Sequence, residues 1–271
     1  MRLLHTLSAF FVLLAGSCAT FFEQEIELDA LPYERQLVLN TILSPQDSLI
    51  RADVFVTAPA VGDPPPNYPP RGRVRDALVR LEGPGGSASF ALVERGGTYV
   101  LPDTLAQLEA GRTYEVIAEW DGLVARGRTV IPERLTPRDS IMRELVVEDD
   151  GDRNVLATWP NQPGEQDYYF LYTERSFRSG NRQQAERYLA DYIHGRDALG
   201  PYISGTLGVT TGYNNTLSIC QCTQATYDYF LTRGTLEVND DNPFAEPTTV
   251  ANNLEEGLGL VGATNCWQFQ Y

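Results

Sequence analysis

The 271-residue chain contains no lysine, so all of its basic side chains other than two histidines are arginines. The 36 Asp and Glu residues outnumber the 21 arginines, which gives a formal net charge of −15. Nucleic acids and anionic lipid surfaces repel such a chain, so we expect no nucleic-acid partner. Two explanations for the missing lysine remain open: a GC-rich genome that favours arginine codons, or a salt-adapted surface whose ion pairs use arginine.

Histidine is almost absent, which restricts the chemistry available to the chain. His5 lies in an N-terminal leader, so a Ser-His-Asp triad would have to use His194, and no Gly-x-Ser-x-Gly motif occurs. A histidine at the end of a predicted helix is typically a partner of the helix dipole. We therefore expect a protein that is not an enzyme and that holds no cofactor.

The N-terminus has the pattern of a lipoprotein signal. Arg2 and His5 precede the apolar run Leu7–Leu14, which is too short to span a bilayer as a permanent helix. Small residues then lead directly to Cys18. This order predicts a signal peptide over 1–17, cleavage before Cys18 and lipidation of that residue, with a plain secreted protein as the alternative. The acidic stretch 18–33 is then a tether, and the expected location is the surface of an outer membrane.

Three cysteines remain after Cys18, and export to an oxidising compartment favours one disulfide bond. Cys220 and Cys222 are two positions apart, so on a strand they point to the same side, and either could reach Cys266. We expect Cys222 to pair with Cys266, with Cys220 as the alternative partner. A Cys-x-Cys metal site lacks a second ligand pair, so we predict no metal there.

The first half of the mature chain predicts a β-sandwich. Short alternating segments recur through residues 34–133 and are separated by glycine- and proline-containing turns, with a hairpin signal at Asp121-Gly122. About seven strands in about one hundred residues are typical of an immunoglobulin-like sandwich. The proline-rich stretch 58–70 is predicted to be an extended surface loop.

The second half, 134–271, predicts a further β-rich domain with two short helices. Tyr188, Leu189, Tyr192 and Ile193 form an apolar stripe that predicts a helix over about 181–194, with Arg187 on its polar side. Thr223 is placed to cap a second helix that ends before Gly234. Trp159 is expected to pack on the aromatic residues of the next strand. The fold class is therefore mainly β.

Acidic clusters give one weak metal candidate and one weak catalytic candidate. Asp149, Asp150 and Asp152 group oxygen ligands suitable for calcium, although the spacing of an EF-hand is absent. Paired carboxylates could also support glycoside chemistry, which would make the protein a carbohydrate-active enzyme. Solvated turn residues explain the same acids more simply.

The ending of the chain resembles a known family. Asn242-Pro243-Phe244 and Pro247 precede the pair Asn252-Asn253 and the run Gly257-Leu258-Gly259, and the strand Leu37–Leu43 opens the mature chain. This order is similar to a Bacteroidetes-type outer-membrane lipoprotein family of unknown function (domain of unknown function 4249). Its members are often encoded beside TonB-dependent receptors, so the resemblance implies an accessory role. From the residues alone, the glycines predict close backbone approach and the asparagines a turn held by side-chain amides.

The N-terminal leader, the two predicted β-rich domains and the family-like ending together predict the role of the protein. We expect a surface-exposed, non-catalytic accessory or binding subunit of a TonB-dependent receptor, transporter or envelope assembly. Its expected partners are the outer membrane, through the lipid on Cys18, and a β-barrel receptor. A structural envelope scaffold without a ligand and a carboxylate-dependent carbohydrate-active enzyme are the alternatives. Neither the ligand nor the oligomeric state follows from the sequence.

Overall fold

The structure, a computed structural model, describes residues 33–59, 63–94, 96–134, 136–148, 152–161, 167–179, 182–239 and 249–271. Within these residues the protein is mainly β, as the sequence predicts. The strands are β1 Leu37–Leu43, β2 Leu49–Val56, β3 Leu78–Gly83, β4 Gly86–Ser89, β5 Ala91–Val93, β6 Thr98–Pro102, β7 Thr113–Trp120, β8 Leu123–Val130, β9 Met142–Val147, β10 Arg153–Pro160, β11 Tyr168–Ser179, β12 Arg182–His194, β13 Tyr202–Val209, β14 Asn214–Cys222, β15 Leu254–Glu256 and β16 Leu258–Gln270. The α-helices are α1 Asp103–Ala106 and α2 Gln224–Asn239. No helix in this part of the chain is long and apolar enough to span a bilayer.

The strands form one large sheet and two small ones. The eight-stranded sheet has the order β12-β11-β14-β16-β1-β2-β6-β5. The five-stranded sheet has the order β15-β8-β7-β3-β4, and the three-stranded sheet has the order β13-β10-β9. Each small sheet shares a hydrophobic core with a different part of the large sheet.

The first core lies between β1, β2 and β6 of the large sheet and β3, β7 and β8 of the five-stranded sheet. Alternation places the apolar residues here, since β1 buries every second residue from Leu37 to Leu43. The predicted hairpin between β7 and β8 is confirmed, and both Asp121 and Gly122 have the positive φ that a two-residue turn of this kind requires.

The second core lies between β11, β14 and β16 and the three-stranded sheet. Trp159 on β10 is fully buried, and its ring meets Tyr169 of β11 edge to face at 5.2 Å between centroids. This confirms the expectation that the tryptophan packs on aromatic residues of the next strand. After β8 the chain runs along β16: Arg134 and Arg138 donate to the carbonyl oxygens of Cys266 and Gln268, and Trp267 donates to that of Thr136.

The two cores are joined by the end of the chain. β16 pairs in parallel with β1 and antiparallel with β14, and β15 pairs with β8. Val261 and Ala263 belong to the first core, whereas Phe269 belongs to the second. The end of the chain therefore contributes to both cores, and the large sheet takes strands from both sides of residues 133/134.

The asparagine pair holds this ending in place, as the sequence predicts. The Asn253 side chain donates to the carbonyl of Val261 and accepts from its N–H, both at 2.9 Å. The side-chain Oδ1 of Asn252 accepts from the N–H of Gly259 at 3.0 Å. Gly259 has φ +121°, and a Cβ there would lie 2.2 Å from the carbonyl oxygen of Leu39. Only glycine allows β1 and β16 to approach this closely.

The predicted helix over 181–194 is wrong, because this stretch is strand β12. It forms a hairpin with β11, and Arg182 pairs with Ser179 while His194 pairs with Tyr168. The register slips by one residue near Ala190, so positions 189 and 192 fall on one face of the sheet and positions 188 and 193 on the other. A strand that is apolar on both faces and carries a bulge reproduces the spacing of a helical stripe.

The second predicted helix exists but is longer than expected. Thr223 caps it, because its Oγ1 accepts from the N–H of Thr226 at 3.3 Å. The helix continues through Gly234 to Asn239, so the predicted end is wrong. Tyr227 and Phe230 pack on the sheet as expected, whereas Leu231 is exposed.

Candidate binding groove

A groove of about 1140 Å³ lies on the face of the eight-stranded sheet that points away from the two cores. β1, β2 and β16 supply its floor, α2 one wall, and the β1–β2 turn and β12 contribute Asp47 and Arg187. On β2 the residues Ile50, Ala52, Val54 and Val56 are buried, so Arg51 and Asp53 point outward into the groove. Because Leu49 and Phe55 also point outward, the alternation is hard to recognise in the sequence.

Arg187 on β12 is the most connected charge of the groove. Its Nη2 donates to Oδ1 of Asp47 at 3.2 Å and to Oε2 of Glu174 at 3.4 Å. Its guanidinium also lies over the ring of Tyr172, at 4.3 Å from the centroid. Burial raises the pKa of the Tyr172 hydroxyl, and the neighbouring arginine charge partly lowers it again. These three contacts hold the charges of Arg187, Asp47 and Glu174 in place on this side of the groove.

The β1–β2 turn is held over β16 by Gln46. Its Oε1 accepts from the N–H of Cys266 at 2.7 Å, and its Nε2 donates to Oδ1 of Asn265 at 3.1 Å. β1 ends at Leu43, opposite Ala263, so β16 continues past the end of this parallel ladder. The N–H of Cys266 would bond to the backbone of β1 if that strand continued. Gln46 accepts this hydrogen bond in its place.

Helix α2 brings aromatic surface to the groove. Tyr229, Phe230 and Arg233 line it, and the ring of Phe230 lies 4.8 Å from that of Phe170 on β11. Arg233 is paired with Glu237 one turn along the helix at 2.9 Å. The floor adds amide groups from Asn40, Gln268 and Gln270. A lining of amides, aromatic rings and paired charges offers many contacts to a polar ligand.

The disulfide bond beside the groove joins Cys220 to Cys266, so the preferred pairing through Cys222 is wrong and the alternative is the observed one. Cys220 lies directly opposite Cys266 in the antiparallel register of β14 and β16, whereas Cys222 lies opposite Thr264. The sequence does not fix this register, and so could not distinguish the two cysteines. Cys222 is a buried free thiol whose pKa is raised by burial.

A buried polar cluster lies at the start of β11 and does not line the groove. Asp167 is fully buried, and within the described residues neither of its carboxylate oxygens makes a hydrogen bond of standard geometry. Burial raises the pKa of this carboxyl, which the charge of His194 and the Tyr169 hydroxyl lower in part. A Cβ on Gly195 would lie 1.8 Å from Oδ2 of Asp167, so the backbone packs directly on the carboxyl group.

His194 has no place in the groove. It ends a strand rather than a helix, and its ring is stacked on that of Tyr168 at 4.6 Å between centroids. The dipole role expected at a helix end is therefore wrong. The aromatic neighbours Tyr168 and Tyr227 account for its packing.

The remaining predicted site residues are only partly described. Cys18, Asp149 and Asp150 lie outside the described residues, as does the stretch 242–247. Asp152 is exposed, and its carbonyl oxygen accepts from the N–H of Glu148 at 2.8 Å in the β9–β10 turn. Among the described residues, no group of three or more His, Cys, Asp or Glu side chains is arranged to hold a metal ion.

Sequence reasoning missed the groove because its residues come from distant parts of the chain. Arg187 was expected on the polar side of a helix, and nothing in the local sequence pairs it with Asp47 or Glu174. The one available signal was the strand Leu37–Leu43, whose outward Asn40 accepts from the N–H of Leu260 at 3.1 Å.

Comparison with known proteins gives one result. A search of curated proteins finds no match. The sequence profile of a family described as "Domain of unknown function (DUF4249)" matches residues 22–268, a range that includes β1, β2 and all but the last two residues of β16. The chain therefore belongs to this family of unknown function.

Proposed function

We propose that this protein is a lipid-anchored, surface-exposed accessory or binding subunit of a TonB-dependent outer-membrane receptor or transporter. We propose that it binds a ligand in this role and catalyses no reaction. The observation that carries the proposal is the groove on the large sheet, with its fixed charges and aromatic wall. Attachment to the outer membrane is supported by Cys18 at the end of the apolar leader. The receptor partnership is supported by the resemblance of the chain's ending to lipoproteins encoded beside such receptors.

The arrangement of the acids favours binding over hydrolysis. Asp47 and Glu174 both pair with the one guanidinium of Arg187, so each carboxylate already has a cationic partner. A glycosidase needs one carboxyl that keeps its proton and one that acts as base or nucleophile. Two carboxylates that pair with the same arginine share one environment instead of the two different ones that this division of roles needs.

We also propose that residues 34–133 form an immunoglobulin-like sandwich. The strands β1–β8 lie within this range, and β1, β2 and β6 face β3, β7 and β8 across a single core. Two facing antiparallel layers of this length are typical of that architecture. Loops at the ends of such a sandwich would then be free to contact a partner.

Affinity purification of the native protein from membranes, followed by mass spectrometry, tests the proposed function. We expect an outer-membrane β-barrel protein to co-purify with the wild type. Thr216 lies on the floor of the groove between Glu174 and Gln270, so Thr216→Trp should fill the groove and impair binding. Leu105→Trp, at an exposed position of α1, is the matched control and should behave like the wild type.

The membrane anchor is tested separately. A Cys18→Ala protein should lose its lipid and leave the membrane fraction, because one apolar leader of this length is not a permanent span. A variant that stays in the membrane, or a wild-type protein that brings no β-barrel partner with it, would contradict the corresponding half of the proposal.

A further inference from the structure

The groove on the large sheet follows strand β16 for most of that strand's length, so it is long rather than round. Leu260 and Gln270 both line it and lie ten positions apart on β16, a separation of about 33 Å at about 3.3 Å per residue. Its volume of about 1140 Å³ also exceeds the range of about 300 to 1,000 Å³ that is usual for sites of single drug-sized ligands. A ligand that fills this groove is therefore an extended chain.

The floor of the groove presents side chains to such a ligand and few backbone groups. β1 pairs with β2 and β16, and β16 also pairs with β14, so the hydrogen-bonding groups of these strands are used within the sheet. Beyond the end of β1, Gln46 accepts from the N–H of Cys266. Arg134 and Arg138 donate to two carbonyl oxygens on the same side of β16. Side chains therefore cover the part of β16 that β1 does not reach.

This construction does not suit a peptide ligand. Peptides are commonly bound as a strand added to a free sheet edge, as a helix in an apolar groove, or as a polyproline segment between aromatic rings. The floor is the face of a sheet and not its edge, and Arg51 and Asp53 point into it, so it is not apolar. Of the three aromatic rings in the lining, that of Phe55 lies under the guanidinium of Arg73 at 4.5 Å, and the other two belong to one wall.

Charges of both signs line the groove and nearly cancel. The lining includes four arginines and three acids, namely Arg51, Arg138, Arg187, Arg233, Asp47, Asp53 and Glu174. Each acid is already paired with an arginine, and Arg233 is paired with an acid of its own helix. Within the described residues Arg51 and Arg138 have no carboxylate partner, but an anionic ligand would also meet the three acids and a chain of net charge −15. This balance favours a ligand without charge.

Amide and hydroxyl groups supply the hydrogen bonds that remain. Gln268 and Gln270 are exposed on the floor, and Thr216 lies beside Gln270 in the register of β14 and β16. Such groups both donate and accept, as the hydroxyl groups of a sugar do. Tyr229 and Phe230 on the α2 wall add rings against which the apolar faces of sugar rings can pack.

We propose that the groove binds an uncharged oligosaccharide chain that lies along β16. The inference names the ligand of the binding role proposed above and so rests on that role. Gln46 and Arg187 already hold the β1–β2 turn and the β12 side in place, so little ordering of the protein is needed when the chain binds.

Isothermal titration calorimetry of the purified full-length protein tests the ligand class. The probes are the malto-, laminari-, cello-, xylo- and manno-oligosaccharides, each as a disaccharide, a tetrasaccharide and a hexasaccharide. At least one series should bind with a Kd below about 1 mM, with affinity that rises from the disaccharide to the hexasaccharide. The affinity should be nearly the same at about 0.1 M and about 1 M salt, although the Debye length falls from about 10 Å to about 3 Å.

Groove variants with matched controls locate the binding. Gln270→Ala removes an amide from the floor and should weaken binding of the hexasaccharide about fivefold. Tyr229→Leu removes a ring from the wall and should have an effect of similar size. The controls are Gln224→Ala, at the exposed start of α2, and Tyr202→Leu, at an exposed position of β13. Neither control residue lines the groove, so both variants should bind like the wild type.

The acidic chain hexagalacturonate and a decapeptide of glycine and serine represent the rival ligand classes. Tighter binding of either one than of every neutral sugar would overturn the proposal. So would the absence of binding in all five series, equal affinity for disaccharide and hexasaccharide, or equal affinities of the groove variants and their controls. The titration contains no receptor, so its failure would leave the co-purification of a β-barrel protein untouched, and the reverse also holds.

Discussion

Nη2 of Arg187 and Oδ1 of Asp47 lie 3.2 Å apart, although 140 positions separate these residues in the chain. The contact links the β1–β2 turn to the edge strand β12, although β11, β14 and β16 lie between β12 and β1 in the eight-stranded sheet. With Glu174 of β11 as a further partner, one cation contacts acids from two separate elements of the groove lining. The shape of the groove therefore depends on this arginine more than on any other single side chain.

Replacing Arg187 with Met should lower the free energy of unfolding by about 1 kcal/mol, because solvent screens a pair whose arginine side chain is 46 % exposed. Urea unfolding monitored by circular dichroism measures the change. Arg233→Met is the matched control, since its pair with Glu237 joins two more exposed side chains on one helix and is worth about 0.3 kcal/mol. Equal effects of the two substitutions would show that Arg187 has no special structural role.

The disulfide bond predicts a different response to reductant for each cysteine. Cys220→Ala should lower the free energy of unfolding by about 2 to 5 kcal/mol and make the melting temperature insensitive to reductant, because Cys266 loses its partner. Cys222→Ala should keep the sensitivity of the wild type. Calorimetry with and without dithiothreitol measures the melting temperatures of both variants. If Cys222→Ala were the variant that lost its sensitivity to reductant, the disulfide bond would belong to Cys222.

Asp167 predicts a pH dependence of stability. Its folded pKa is raised above the value in the unfolded chain, so the folded state binds more protons in the window that begins near pH 4 and extends upward. Stability contributed by this group is therefore present at the acidic end and falls as the pH rises through the window. Asp167→Asn cannot titrate and should remove this slope.

Urea unfolding at a series of pH values from about 4 to about 8 measures the effect of Asp167. Relative to Asp167→Asn, the wild type should lose stability as the pH rises, by at most about 1.4 kcal/mol per pH unit. Asp139→Asn, at an exposed position, is the control and should leave the slope unchanged. Parallel curves for the wild type and Asp167→Asn would contradict the prediction.

The close approach of β1 and β16 is tested by Gly259→Ala. The new methyl group would lie 2.2 Å from the carbonyl oxygen of Leu39 in a backbone conformation that already disfavours alanine, so we expect a loss of about 3 kcal/mol. Gly86→Ala is the matched control, because its φ of +107° is similar but no atom lies within 4 Å of the new Cβ. The difference between the two losses in urea unfolding isolates the steric contact, and no difference would argue against it.

Local features of the fold could be predicted from the sequence because nearby residues decide them. The β7–β8 hairpin follows from Asp121-Gly122, the start of α2 from Thr223, and the amide-bonded ending from Asn252 and Asn253. Each depends on one turn, one cap or one pair of side chains, and each was found where the residues indicated.

Features that depend on distant pairing could not be predicted. β12 was mistaken for a helix, because a bulged strand with two apolar faces has the spacing of a helical stripe. The partner of Cys266 depends on the register of β14 and β16, which no local signal determines. The groove likewise exists only after β1, β12 and β16 have been brought into one sheet.

Parallel pairing of the first strand with the last has a consequence for how the protein is made. During folding β1 has to wait for β16, because Asn40 and Leu260, which meet across this pair, lie 220 positions apart in the chain. Until then the apolar residues of β1 lack the neighbour that completes their layer. Closure of this layer is therefore a late step of folding, and a chain cut before β16 should be far more sensitive to proteases than the intact protein.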